Sequence, residues 1–221
     1  MTQMTENTQL EEPLLDNIAD ALGQQGFIQL QQFLPPWLAE QLLYEAKRLA
    51  LVEFKPAGIG RHNSQQINSQ VRTDSTLWLN GNSAPQQAYL NWMEQLRVGL
   101  NRRLFMGLFD FECHFSHYSR GDFYQRHLDA FKGNKLQPGS NRVLSTVFYM
   151  NPDWVKNDGG ELLLYADEQV LPLLIVPPVF NGCLIFLSDR FPHEVLASRC
   201  DRYSIAGWYR LNGHSAEHFD P

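Results

Sequence analysis

Beyond Phe109 the chain breaks into short runs of strand-forming residues, each closed by a turn signal, and this pattern limits the possible folds more than any other feature. The runs cover 111–118, 124–129, 142–151, 161–165, 172–176, 183–187, 193–197 and 202–210. Gly121, Pro138-Gly139, Asn157 to Gly160 and Asn181-Gly182 punctuate them. Within the third run Val143, Ser145, Val147 and Tyr149 share one face, and Leu144, Thr146, Phe148 and Met150 the other. Such a series, placed after a helical N-terminal third, suggests a mainly β fold with supporting α-helices: a jelly roll with helices buttressing one sheet.

The N-terminal third reads differently. Leu14, Leu15, Ile18, Ala19 and Leu22 recur at helical spacing, with Gly26 as a stop. Phe27 to Leu30 reads as a short strand. Pro35-Pro36 can open a second helix whose apolar face is Leu38, Leu42, Leu43, Ala46, Leu49 and Ala50. Residues 86–105 form a third, with Tyr89, Trp92, Met93, Leu96 and Leu100 on one side. Between these helices, 55–85 is rich in Gly, Asn, Ser and Gln, and predicts long, mobile loops with short strand pieces. The expected layout is a disordered tail at 1–10, one domain over 11–213 and a polar tail at 214–221. Within the domain, a helical buttress (about 11–105) precedes a β core (about 109–211).

A net charge of −6, from 18 basic and 24 acidic residues, argues against general nucleic-acid or anionic-membrane binding. No run approaches the roughly 18 apolar residues of a membrane span. The first residues carry acidic side chains and no basic stretch, unlike a signal peptide. Cys113, Cys183 and Cys200 are odd in number and widely spaced, which suits a reducing cytoplasm.

Three residues suggest a metal site: His127 and Asp129 two apart, and His193 further on. Two histidines and a carboxylate form a facial ligand set for non-heme Fe(II), leaving positions open for substrate and oxygen. In a strand, i and i+2 point to the same face, so His127 and Asp129 can reach one metal. Glu194 is a further carboxylate, but in a strand it points away from His193. The run opened by His193 leads through a tight turn, Ser198 to Asp201, into the run opened by Arg202, which predicts a hairpin carrying both side by side. A guanidinium fork there suits the carboxylate of an acidic cosubstrate, and Tyr149 can add a hydroxyl to the same group. His114 shares a face with Tyr118 and either lines the cavity or packs; His62, His214 and His218 read as solvated.

The segment Tyr118 to Tyr209 resembles the Fe(II)- and 2-oxoglutarate-dependent prolyl hydroxylases, in the branch of the animal oxygen-sensing enzymes and their bacterial relatives. The matching strings are His127-Leu128-Asp129, Tyr149-Met150-Asn151-Pro152-Asp153-Trp154, Gly159-Gly160-Glu161-Leu162, Ser188-Asp189-Arg190, Pro192-His193-Glu194-Val195 and Arg202-Tyr203-Ser204-Ile205 with Trp208-Tyr209. Weaker similarity reaches upstream to Arg72-Thr73-Asp74 with Trp78 and to Gly26-Phe27-Ile28. The resemblance implies a double-stranded β-helix (cupin-like) oxygenase. It would hydroxylate a prolyl residue of a protein and convert 2-oxoglutarate and O2 to succinate and CO2, with ascorbate as a reductant. His127, Asp129 and His193 would bind iron, and Arg202 and Tyr149 the distal carboxylate of 2-oxoglutarate. Tyr118 would reach its other end, and Leu162, Val195 and Trp208 would wall the pocket. Arg72 and Asp74 would lie on a loop closing over substrate, each held by a partner elsewhere, and Arg142 would join them in binding substrate. Bacterial relatives suggest elongation factor Tu as a target. The chain departs from the animal enzymes in a longer loop after Asp129, carrying Lys132 and Lys135, and in Ala206 where they have a hydroxyl residue.

Two alternatives stand beside this reading. One is the same oxygenase acting on a free amino acid or other small molecule. The other is a metal-binding protein or zinc hydrolase on the same roll. A hydrolytic zinc site also keeps an open position, but does not need Arg202 and Tyr149 opposite the metal.

Overall fold

The computed structural model describes residues 9–58, 68–130, 141–167 and 169–212. The terminal tails, most of the loop after Asp129 and His62 lie outside the described residues. Three helices, α1 (Glu12–Gln24), α2 (Pro36–Ala50) and α3 (Ala84–Leu104), each start with a proline in the first turn, where its missing N–H costs nothing. Ser83 caps α3 through a bond from Gln86 N. Gly26 ends the first helical unit at a φ of +86°, a left-handed conformation that glycine adopts without strain.

The strands are β1 (Phe27–Leu30), β2 (Lys55–Pro56), β3 (Ser75–Trp78), β4 (Asp110–Tyr118), β5 (Tyr124–His127), β6 (Arg142–Tyr149), β7 (Leu162–Leu164), β8 (Leu174–Val176), β9 (Cys183–Leu187), β10 (His193–Val195) and β11 (Arg202–Arg210). They form a seven-stranded sheet, β1-β9-β6-β11-β4-β3-β2, and a four-stranded one, β5-β10-β7-β8. Every pairing between these strands is antiparallel. This is the expected jelly roll.

Alternation along the strands divides the interior in two. Leu144, Phe148, Phe115, Ile185 and Ile205 leave one face of the large sheet and pack with the helices. Val147, Tyr149, Leu184 and Phe186 leave the other and meet Leu162, Leu164 and Val176 of the small sheet. Each fully buried Leu or Phe contributes about 1.5–3 kcal/mol relative to exposure, so packing holds the short helices more than propensity does.

One expectation is corrected. β10 and β11 do not form a hairpin: β10 pairs with β5 and β7, while β11 pairs with β4 and β6. The turn between them crosses from one sheet to the other. The 55–85 region holds short strand pieces as expected: β2 and β3 extend the large sheet, and Ala57, Asp74 and Leu79 are buried. Cross-strand pairing supplied what the local composition lacks.

Candidate active site

The inner face of the large sheet forms the floor of a cavity of about 150 Å³. Register places Arg202 opposite Tyr118, Ser204 opposite Ser116 and Ala206 opposite His114. On the other side of β11, Ser204 faces Tyr149 and Ala206 faces Val147. His127, Asp129 and His193 enter the same cavity, the histidines from the small sheet.

His193 and His127 are direct partners across β10 and β5. Asp129 lies beyond the end of β5, so shared strand parity does not explain its position; the turn after His127 brings it in. Ala130 N bonds to Ser188 O at 3.2 Å and pins that turn. His127 Nε2 is 3.7 Å from Asp129 Oδ1, and His193 Nε2 is 3.6 Å from Oδ2. One donor atom from each of the three lies within 4.8 Å of the others. Each imidazole is oriented from behind: His127 Nδ1 is 2.7 Å from Gln125 O and His193 Nδ1 is 3.2 Å from Phe191 O. A carbonyl oxygen only accepts, so Nδ1 carries the proton in each neutral ring and Nε2 keeps its lone pair.

Electrostatics suit a cation. Burial opposes ionisation of Asp129, but His193, His127 and a hydrogen bond from Ser145 hold its carboxyl well below the usual range. Burial, then His127, pushes His193 down to about 4. At neutral pH the set is one carboxylate and an uncharged His193, a donor set that fits Fe(II). Ser145 Oγ donates to Asp129 Oδ2 at 2.7 Å and lies 2.9 Å from Ser188 Oγ. Sequence reasoning missed this support; Ser145 stood out only by its parity with Tyr149.

Arg202 is 2 % exposed. Its Nε donates to Gly160 O at 2.9 Å and its Nη1 to Ser204 Oγ at 3.0 Å. Among the described residues Nη2 has no partner, Tyr149 Oη has none, and no carboxylate pairs with the guanidinium. The rings of Tyr118 and Tyr149 lie 4.7 and 5.3 Å from its central carbon. A buried charge without a counterion costs several kcal/mol. An acidic ligand that reaches Nη2 offsets that cost, so these residues fit a carboxylate.

The motif residues hold this arginine. Gly159 and Gly160 have φ of +68° and +72°, and a β-carbon on Gly160 would meet Arg202 Cδ at 2.9 Å. Trp154 Nε1 donates to Gly159 O at 2.9 Å. Asn151 accepts from Tyr203 N at 2.7 Å and donates to Tyr203 O at 3.1 Å, fixing the backbone next to Arg202.

Tyr118, Leu162, Val195, Trp208, Arg72 and Arg142 all line the cavity; Tyr149 and Asp74 do not. The Arg142 guanidinium sits 3.6 Å over Trp208 and bonds Glu112. His114 lines the cavity too, buried and pushed down to about 3, chiefly by burial. Glu194 turns away and accepts from Tyr165 Oη. Arg72 and Asp74, expected to take separate partners, bind each other: Arg72 Nε donates to Oδ1 at 2.8 Å and Nη2 to Oδ2 at 2.7 Å. Burial works against the Arg72 charge, yet Asp74 raises its pKa overall.

Residues 113–210 match the sequence model of the 2OG-Fe(II) oxygenase superfamily. A crystal structure of a Pseudomonas putida prolyl-4-hydroxylase is 38 % identical with a TM-score of 0.79, covering 90 % of this chain and 100 % of that one. A Trichoplax adhaerens prolyl hydroxylase, solved with a hypoxia inducible factor oxygen degradation domain peptide, is 27 % identical with a TM-score of 0.75, covering 90 % of each chain. Human prolyl hydroxylase EGLN3 is 28 % identical over 212 residues, 90 % of this chain and 84 % of that protein. The chain therefore belongs to the 2OG-Fe(II) oxygenase superfamily, in its prolyl hydroxylase family, and is an oxidoreductase that uses Fe(II), 2-oxoglutarate and O2.

Proposed function

We propose that this enzyme hydroxylates a prolyl residue of a protein, binding iron through His127, Asp129 and His193 and the distal carboxylate of 2-oxoglutarate through Arg202 and Tyr149. The observation that carries this reading is buried Arg202, whose Nη2 has no hydrogen-bond partner among the described residues and which lines the same cavity as the three-donor cluster. Bound iron and 2-oxoglutarate supply the oxidative chemistry. The chain's own residues position and enclose. Ser145 and the carbonyls of Gln125 and Phe191 orient the donors. Tyr118 would reach the other end of the cosubstrate, and Leu162, Val195 and Trp208, which line the cavity, would exclude water around it.

Arg72 and Arg142 meet the target at the cavity, and Asp74 acts through Arg72. A protein target is supported by the peptide complex of the Trichoplax relative. Elongation factor Tu is kept as a candidate target on the sequence resemblance to bacterial prolyl hydroxylases alone. Residues 11–213 acting as one oxygenase domain agree with the shared core of helices and large sheet. No helix among the described residues is long and apolar enough to cross a membrane. Three unpaired cysteines favour the cytoplasm.

The test pairs His127→Ala and Asp129→Ala with mass spectrometry. The parent enzyme adds one oxygen to proline in a protein, elongation factor Tu included among those screened, and both variants add none while keeping their circular dichroism. Turnover of free amino acids but of no protein would replace the protein target with a small molecule. Full activity with iron rigorously excluded would sink the iron reading.

A further inference from the structure

Four side chains stand in a row ending at His127. Asp74 is fully buried and grips the Arg72 guanidinium at two points. The Arg72 guanidinium carbon lies 4.3 Å from the centre of the Tyr124 ring. The Tyr124 ring stacks on the His127 imidazole, with centroids 3.6 Å apart and planes 15° from parallel. The backbone locks the same row. Arg72 and Tyr124 form an antiparallel bridge. Gln125 N bonds to Val71 O at 2.8 Å, Thr73 N to Phe123 O at 3.1 Å, and Phe123 N to Thr73 Oγ1 at 3.0 Å. Residues 71–73 thus lie along the outer edge of β5.

We propose that Asp74, Arg72 and Tyr124 are positioning residues for His127, fixing the plane of the imidazole that presents Nε2 toward Asp129. This rests on the reading of His127 as an iron ligand. The need arises from exposure: the His127 side chain is 17 % exposed against 6 % for His193. His193 has Phe186 edge-on at 4.8 Å, and the fully buried Phe186 belongs to the core between the sheets. His127 lies at the end of a short strand, and its Nδ1 contact with Gln125 O restrains one edge of the ring. A face-on tyrosine restrains the rest. Tyr124 is in turn held by the Arg72 cation, 4.3 Å from its ring centre, and that cation is held by a fully buried carboxylate. Asp74, at 0 % exposure and with both oxygens on Arg72, is out of reach of a target. Its charge serves Arg72 instead. Partners behind a ligand commonly govern metal affinity by about 10–100-fold.

The test is Mn(II) binding by titration calorimetry, a readout independent of turnover. Tyr124→Leu removes the stack and Tyr124→Phe keeps it. The double variant Arg72→Met with Asp74→Asn removes the clamp without stranding a buried charge. Urea unfolding of each metal-free variant accounts for any loss of folded protein. The expected result is a loss of about 10-fold or more in Mn(II) affinity for Tyr124→Leu and the double variant, with Tyr124→Phe within about 2-fold of the parent. Parental Mn(II) affinity in folded Tyr124→Leu, alongside its loss in His127→Ala, would overturn the positioning role and leave the iron site standing. Parental affinity in His127→Ala itself would overturn both.

Discussion

The Gly160 carbonyl oxygen holds Arg202 Nε at 2.9 Å, and a β-carbon at Gly160 would stand 2.9 Å from Cδ of the same arginine. The backbone can grip this side chain because nothing projects from it. We expect Gly160→Ala to weaken 2-oxoglutarate binding and to cost about 1–3 kcal/mol of stability, since its φ of +72° is strained for alanine. Calorimetry of 2-oxoglutarate with Mn(II) present, together with urea unfolding, separates the two effects. Unchanged cosubstrate affinity would show that the close approach is not needed.

Arg202 itself has a sharper expectation. Truncation to alanine removes a charge-assisted contact in a desolvated pocket and should weaken 2-oxoglutarate binding by about 2–5 kcal/mol. Lysine should recover part of this, because it restores charge without the planar fork. Calorimetric affinity equal to the parent in the alanine variant would remove Arg202 as the anchor.

Ser145 is the hydrogen-bond donor behind Asp129. Ser145→Ala leaves that carboxylate free to turn, and Fe(II) or Mn(II) affinity should fall by about 10–100-fold. Far-ultraviolet circular dichroism should not change, since the residue contributes one hydroxyl. Metal affinity unaffected by the substitution would limit Ser145 to packing.

His114 gives the metal-free protein a pH signature. Its folded pKa of about 3 lies below the unfolded value of about 6.5. The unfolded chain therefore binds the extra proton first, and stability rises with pH across that window. The contribution is complete above about pH 6.5 and is lost as pH falls toward 3, with a slope of at most about 1.4 kcal/mol per unit. His193, at about 4, acts in the same direction. Urea unfolding from pH 7 to 4.5 should show a shallower acid limb for His114→Gln than for the parent; equal slopes would mean that His114 titrates normally.

Much of this arrangement is legible in the chain. The alternation in 142–151 separates Leu144 and Phe148, which meet the helices, from Val147 and Tyr149, which meet the other sheet. The His127, Asp129 and His193 spacing names a donor cluster that the fold assembles within 4.8 Å. Other features were not legible. Tyr124 and His127 are three apart in a four-residue strand, where alternation would put them on opposite faces, yet their rings stack. The register shift between β10 and β5 marks the irregularity there.

The sequence by itself named the candidate donors, through side-chain identity, and the apolar strand faces, through a period of two. Tertiary structure alone decided the partners. It sent β10 and β11 to different sheets across a turn that read as a hairpin, since β7 and β5 offer β10 pairing while β4 and β6 offer it to β11. It joined Arg72 to Asp74, and it left Arg202 buried with an N–H group unmatched. The strand partners depend on contacts between residues far apart in the chain, and even the Arg72–Asp74 pair, two residues apart, forms where Arg72 bridges to Tyr124. No local pattern encodes which long-range hydrogen bonds will form, or which buried donor will be left for a ligand.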